Sequence, residues 1–441
     1  MNRIKKSILI LLSVLPLVFL VSRIHKYKVD VPYWDQWNFI PILEKAHEKT
    51  LTFKDLWEPH NEHRIVFPRI IMLILADISD WNISYELYFN VVLAFGVFLL
   101  LVYQIKTTLV SFKISFSFWI IPVISIIVFS LNQWENWLWG WNIQVFLNVF
   151  SIVGATVVLA NPNLSWWKFI LAVLLTIIGT YSYASGILFW PIGIIILSLS
   201  PLSKAKKKLM VISWGIMGII CIYAYSLGYQ APPHHPPLAF FMENPLKFIK
   251  YVLTYLGTTP LTSDVNPQLV FLTGLTGLIV FVITSAMLLG YYKKKATVLL
   301  PYLSLSAYAL ASAVLTGIGR AGFGEVQAVS SRYIAFGSLL WISMLFFLFL
   351  LMKEKRNRYL FSALAGMVIF LVIQSSLHSV VLFRERQERL LPARQELLLL
   401  KNRELLKQIY PHLTNIDEEE FERQLEFLKR HRLSVFREQC P

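Results

Sequence analysis

The stretch YIAFGSLLWISMLFFLFLLM (333–352) is twenty residues without a charge, and it ends at KEKR (353–356). At about 1.5 Å per residue a helix of that length runs about 30 Å, the thickness of a bilayer's hydrocarbon core. It has no polar face to turn toward water, so it reads as a membrane span rather than as an amphipathic core helix. Working outward, comparable runs occupy Ser7–Ser22, Ile83–Tyr103, Ile114–Leu131, Val145–Ala160, Phe169–Tyr183, Ile187–Ser200, Leu209–Leu227, Leu269–Tyr292, Ala296–Leu315 and Tyr359–Phe383. The expectation is an all-α polytopic membrane protein with about eleven transmembrane helices. Composition agrees: the 441 residues are 56% hydrophobic and 15% charged, too apolar for a soluble domain of this length.

The first run follows MNRIKK and is followed by Arg23, His25, Lys26 and Lys28, with no small-x-small cleavage site. It reads as a retained span, not a signal peptide. Ile65–Ala76 is only twelve residues long and carries Arg69, which predicts a juxtamembrane helix lying in the interface. Charge then sets the orientation. With the N-terminus cytoplasmic, the inner segments 1–6, 104–113, 161–168, 201–208, 293–295 and 353–358 hold 17 Lys and Arg against one acid, Glu354. Making 65–76 a span would put KAKKK (204–208), KKK (293–295) and KEKR outside, against the positive-inside rule. The net charge of +15 therefore belongs to cytoplasmic loops, and nucleic acid is excluded as a partner.

Two domains follow. Residues 1–383 form the transmembrane domain, with a large outer loop at 23–82. Residues 384–441 form an extracytoplasmic tail that reads as a helical hairpin: one helix over 393–410 entered near Pro392, and a second over 416–433 opened by a capping box of Asn415 and Glu418. Cys221 and Cys440 make no disulfide framework.

The chemistry-bearing residues fall on outer segments: DVPYWDQWNFIP (30–41), EPHNEHRIVFPR (58–69), NQWENWLWGWN (132–142) and GIGRAGFGEVQAVSSRY (317–333). An interfacial aromatic belt accounts for Trp57, Trp81 and Trp119, and snorkelling to headgroups for Arg23 and Arg69. Around Trp34, Asp35 and Trp37, and around Glu135, aromatics alternate with carboxylates and amides. Such groups hold sugar rings, the apolar ring face stacking and the hydroxyls hydrogen-bonding. His60, His63, Arg64, Arg320 and Arg332 are donors suited to phosphate. His234 and His235 are adjacent on an extended segment with no third ligand near, which makes a poor metal site.

In order and sidedness these motifs resemble the GT-C superfamily of membrane glycosyltransferases, which includes the protein O-mannosyltransferases and the lipid A aminoarabinose transferases. WDQW (34–37) resembles the family's W-D-E-x-Y-like motif after the first span, with Asp35 at the aspartate and Gln36 where a second acid is usual. HNEHRIVFPRIIMLILA (60–76) is similar to an H-P-P-L-like juxtamembrane segment, with Asn61 and Glu62 in place of prolines. WENWLWGWNIQ (134–144) resembles an acid-bearing outer loop through Glu135. SRYIAFGSLLW (331–341) resembles a late R-Y-x-x-P segment through Arg332 and Tyr333, with Phe336 and Gly337 where proline is expected.

The resemblance implies a bacterial-type inner membrane, a polyprenyl-phosphate-linked sugar donor, and a glycan, lipid or protein acceptor. It implies Asp35 as general base and inversion at the anomeric carbon, and a divalent cation is the one cofactor left open. Trp34, Trp37, His60, His63, Arg64, Glu135, Arg320, Arg332 and Tyr333 would contact substrate. Two other classes compete. An extracytoplasmic polysaccharide polymerase or ligase would use the Arg-bearing loop at 317–333 without needing Asp35 or the long first loop. A transporter would place ionisable residues within its spans and often shows inverted repeats, whereas these runs carry little beyond His378 and a few amides.

Overall fold

Helix is the only extended regular element in the computed structural model, which describes residues 3–229, 236–237, 239–261, 264–354, 357–399 and 418–437. Among these residues, eight helical stretches are long and apolar enough to cross a membrane: Ser7–Tyr27, Ile83–Ser111, Gly140–Leu159, Lys204–Ser226, Pro267–Tyr291, Lys293–Phe323, Ser331–Lys353 and Arg358–Leu399. The other three expected runs form shorter helices, Ile120–Val128, Trp166–Thr180 and Ala184–Leu199. One of these, Trp166–Thr180, has its end held by a side chain from a neighbouring helix. The Asn148 amide donates to the carbonyls of Gly179 (2.8 Å) and Tyr183 (3.5 Å), adding to the turn hydrogen bonds that already close the end of this helix.

We name α1 (Arg3–Tyr27), α2 (Ile40–His47), α3 (Phe53–Trp57), α4 (Val66–Asp77), α5 (Ile83–Ser111), α6 (Ile120–Val128), α7 (Trp134–Leu138), α8 (Ile143–Leu159), α9 (Trp166–Thr180), α10 (Phe189–Leu199) and α11 (Lys204–Ser226). After them come α12 (Phe240–Glu243), α13 (Pro245–Gly257), α14 (Pro267–Tyr291), α15 (Leu300–Arg320), α16 (Glu325–Ala328), α17 (Ile334–Lys353), α18 (Arg358–His378), α19 (Val380–Leu399) and α20 (Glu418–Arg430). Two stretches are central: Gly140–Leu159, ending in α8, is 89% buried, and Ser331–Lys353, ending in α17, is 94% buried. The stretches of α11 and α14 are 28% buried and face outward. Both central helices start at the same end of the bundle, from segments 132–142 and 317–333, so two chemistry-bearing loops are joined to the most buried helices of the fold. Glycine permits the closest approach elsewhere: a Cβ at Gly257 or Gly274 would strike the partner helix backbone, so α13 and α14 touch directly there.

The loop 23–82 folds into α2, α3 and α4, and α4 falls where a short helix is expected over 65–76. Two expectations fail within it. Trp81 is 1% exposed and its indole donates to Glu86 at 3.0 Å, so it belongs to the core and not to an interfacial belt. Arg69 does not snorkel: it is 5% exposed, and its Nη1 donates to the carbonyls of Leu56 (2.9 Å) and Glu58, closing the end of α3.

The tail also differs. The helix expected over 393–410 begins much earlier, because α19 runs from Val380 through Pro392 to Leu399. The second expected helix is represented by α20 at Glu418–Arg430, while Asn415 and residues 400–417 lie outside the described residues. From α20, Phe421 packs on Trp37 (5.2 Å between centroids), Arg423 pairs with Glu44 and, beyond α20, Arg437 with Asp30 (2.7 Å). The tail is thereby held against the loop 23–82.

Candidate active site

The turn Tyr33–Gln36 is clamped from several sides. Gln36 Oε1 accepts from the Tyr33 backbone N–H (3.1 Å), and Gln36 Nε2 donates to buried Glu86 on α5 (2.6 Å). The Trp139 indole donates to the Tyr33 carbonyl (3.1 Å), and the Arg386 guanidinium lies 4.0 Å over the Tyr33 ring. Trp34 sits at φ +50°, a left-handed conformation that a bulky side chain adopts at a cost of about 1–2 kcal/mol. This arrangement presents Trp34 and Asp35 to a cavity of about 560 Å3.

HNEH (60–63) reaches the same cavity through a tight two-residue turn. His60 and His63 exchange backbone hydrogen bonds (2.7 and 2.9 Å), and Asn61 at φ +50° takes the loop position that favours asparagine. Directly opposed residues of such a pair project to the same side, so both imidazoles line the cavity. His63 stacks on Tyr183 (4.0 Å between centroids), and its Nδ1 accepts from the Ala184 N–H (3.3 Å), which fixes the neutral tautomer with the proton on Nε2. Burial pushes the His63 pKa down to about 4, only partly offset by Glu62. His60 Nε2 lies 3.2 Å from the Asn61 amide nitrogen and 3.4 Å from Asp35 Oδ2, within reach of both.

The two arginines differ in what they have left to offer. Arg320 is bound by Glu62 through Nε (3.1 Å) and Nη2, and its Nη1 reaches the Tyr333 hydroxyl (3.4 Å). Burial alone would raise the Glu62 pKa, but His63 and Arg320 outweigh it and hold the carboxyl at about 2. Arg332 donates from Nε to Ser330 Oγ (3.0 Å) and lies 5.8 Å from the Trp139 ring. Its two terminal amino groups make no hydrogen bond among the described residues.

Of the expected site residues, Trp34, Asp35, His60, His63, Arg320 and Arg332 line this cavity. The other four have different partners. Trp37 is buried against Phe421. Arg64 is 3% exposed and donates to the carbonyls of Trp57 (2.7 Å), Tyr225 (2.7 Å) and Leu227. Glu135 accepts from Ser330 (2.9 Å) and Ser331 (2.8 Å), pinning the turn that carries Arg332. Tyr333 is buried, its hydroxyl accepting from Gln327 (2.5 Å).

Sequence reasoning passed over Tyr183, which it placed at the end of a span, and Asn142, Gln144 and Gln327, polar residues lining the cavity from quoted segments or their edge. The Gln144 Oε1 is buried with no hydrogen-bond partner among the described residues, an acceptor left for a ligand. His234 and His235 lie outside the described residues, and among those described no group of three or more His, Cys, Asp or Glu could hold a metal ion. Compared with protein-family models, with curated proteins and with solved structures, the chain finds no match.

Proposed function

We propose that the protein is an inverting membrane glycosyltransferase that moves a sugar from a polyprenyl-phosphate carrier to an acceptor hydroxyl at the outer face of the membrane. The observation carrying this reading is the meeting of four sequence-distant segments, 30–41, 58–69, 132–142 and 317–333, around one cavity with a carboxylate, two imidazoles, two guanidiniums and two indoles set edge to face. Its volume falls within the roughly 300–1,000 Å3 of small-molecule sites. Phe323 and Val326, 47% and 74% exposed, give it an apolar lip next to polar walls, as a substrate with a lipid tail would need.

In the proposed step the acceptor oxygen attacks the anomeric carbon while Asp35 takes its proton. The bond from that carbon to the carrier phosphate breaks, and the phosphate leaves with the electron pair on the opposite face. A phosphate leaves without needing a proton, so one carboxylate suffices where a glycosidase uses two. Arg332 has donors to spare for that phosphate, and Trp34, 40% exposed, can stack a sugar face.

The same reading takes the chain across the membrane about eleven times, the three shorter helices completing the count, with the N-terminus cytoplasmic and the tail outside in a bacterial-type inner membrane. In its favour, the basic loops gather at one end: Lys295 bonds the Ser111 carbonyl, Lys206 the Leu164 carbonyl, and Phe112 stacks on Tyr292. Cysteine labelling of intact cells tests the orientation. With Cys221 and Cys440 replaced by serine, Arg432→Cys should react with an impermeant reagent and Lys208→Cys should not.

A polymerase or ligase working on lipid-linked glycans is the second reading, favoured by the five cavity residues that come from 317–333 alone. In-vitro transfer from a defined polyprenyl-phosphate sugar separates the two. A single sugar transferred supports the first, and activity only on preassembled lipid-linked glycan supports the second.

A further inference from the structure

At the end of the bundle away from this site lies a second cavity, of about 490 Å3, between the C-terminal ends of α5, α8 and α10 and the start of α15. Its walls are mixed in character. Val157, Leu159, Ile196 and Leu300 are apolar, whereas Gln104, Thr107, Ser111, Asn161, Asn163 and Ser200 offer hydroxyls and amides.

Three lysines surround the polar part. Lys106 lines the cavity itself and has no hydrogen bond or ion pair among the described residues. Lys168 Nζ bonds the carbonyl of Asn163 (3.2 Å) and Lys295 Nζ that of Ser111 (2.8 Å), both residues of the lining. An ammonium has three N–H donors, and these two have one engaged each, by a neutral carbonyl. The carboxylate at this end is Glu354, already held by the hydroxyls of Tyr291 and Tyr292. Cations without counter-charges, set around a cavity that has both polar and apolar walls, call for an anion attached to an apolar body.

We infer that this cavity binds the phosphate-bearing headgroup of an anionic membrane phospholipid. The assignment rests on the chain crossing a membrane and is independent of the transferase reading. Its lysines belong to the loops that the charge distribution puts on the cytoplasmic side, so the ligand is a lipid of that leaflet. Nothing in it draws on the outer site.

The test is native mass spectrometry of the full-length protein released from micelles, with phosphatidylglycerol and phosphatidylcholine in competition. The wild type should retain phosphatidylglycerol preferentially. Joint replacement Lys106→Gln, Lys168→Gln and Lys295→Gln should reduce that preference by about tenfold or more. The matched replacement Lys204→Gln, Lys207→Gln and Lys208→Gln removes the same charge from the same end and should leave most of it. Equal losses in the two variants would reduce the effect to general surface charge and overturn the site. Thr107→Trp keeps every lysine and fills the cavity, so it guards against misfolding of the triple variant: a folded Thr107→Trp protein with undiminished preference would also overturn it. Soluble glycerophosphoglycerol in excess separates the two sources of phosphate. Retention of the lipid supports the assignment, and displacement would identify a free phosphate ligand and refute the lipid.

Discussion

The Gln36 amide donates to Glu86 Oε2 at 2.6 Å, tying the turn that carries Asp35 to the first buried turn of α5, fifty residues along the chain. Glu86 Oε1 accepts from the Trp81 indole, and the residue is 1% exposed. A Cβ on Gly140 would collide with the same carboxylate, so Gly140, Glu86 and Gln36 form one packed unit beneath the cavity.

That unit predicts an order of stability. Glu86→Ala leaves two buried donors without acceptors and should cost about 2–4 kcal/mol, whereas Glu86→Gln keeps the shape and one acceptor and should cost about half as much. Denaturation in detergent reads both. Equal losses would mean that the hydrogen bonds contribute nothing beyond volume.

Arg332 and Arg320 should fail differently. Arg332→Ala should weaken donor binding by about 1.5–3 kcal/mol, the worth of a charge-assisted hydrogen bond, with a smaller loss of stability than Arg320→Ala, because its ion pair with Glu135 is long (3.8 Å) and Ser330 and Ser331 also hold that carboxylate. Arg320→Ala removes the guanidinium that binds the half-buried Glu62 carboxylate and should chiefly destabilise the fold, by about 3–5 kcal/mol. Parallel binding and melting measurements check this, and a donor-binding defect confined to Arg320→Ala would invert the assignment.

A pH dependence follows from His63. Its pKa is about 4 in the fold against 6.5 for an ordinary imidazole, so between those values the unfolded chain binds more protons. Stability is therefore fully present above pH 6.5 and declines as pH falls toward 4, by about 3 kcal/mol in all. His63→Asn retains an acceptor for the Ala184 N–H and should flatten that window. Glu62, held at about 2, adds its own loss only below the ordinary carboxylate range. An unchanged pH profile in His63→Asn would remove the histidine from the account.

The membrane character was legible because apolar runs such as 333–352 need no tertiary context, and the order of the motifs was legible in the same way. What the sequence hid was pairing across long separations. HNEH announces a histidine-rich turn, but nothing in it says that Glu62 will neutralise Arg320, 258 residues away, and leave Arg332 as the arginine with donors to spare. Arg64 and Arg69 resemble surface cations until their backbone-carbonyl partners are seen, because a guanidinium can be buried when neutral acceptors satisfy its fork. Pro392 suggested a helix start and lies within one, since a proline there forfeits a single hydrogen bond in a helix already continuous from Val380.

The most direct measurement is transfer by the Asp35→Asn protein, assayed in nanodiscs with a defined polyprenyl-phosphate sugar. Asparagine keeps the shape and most of the hydrogen bonding but cannot take the acceptor's proton. Donor binding should survive while transfer falls by about 10²–10⁴-fold, the usual worth of general-base catalysis. Near-normal transfer by a well-folded Asp35→Asn protein would contradict the proposed mechanism.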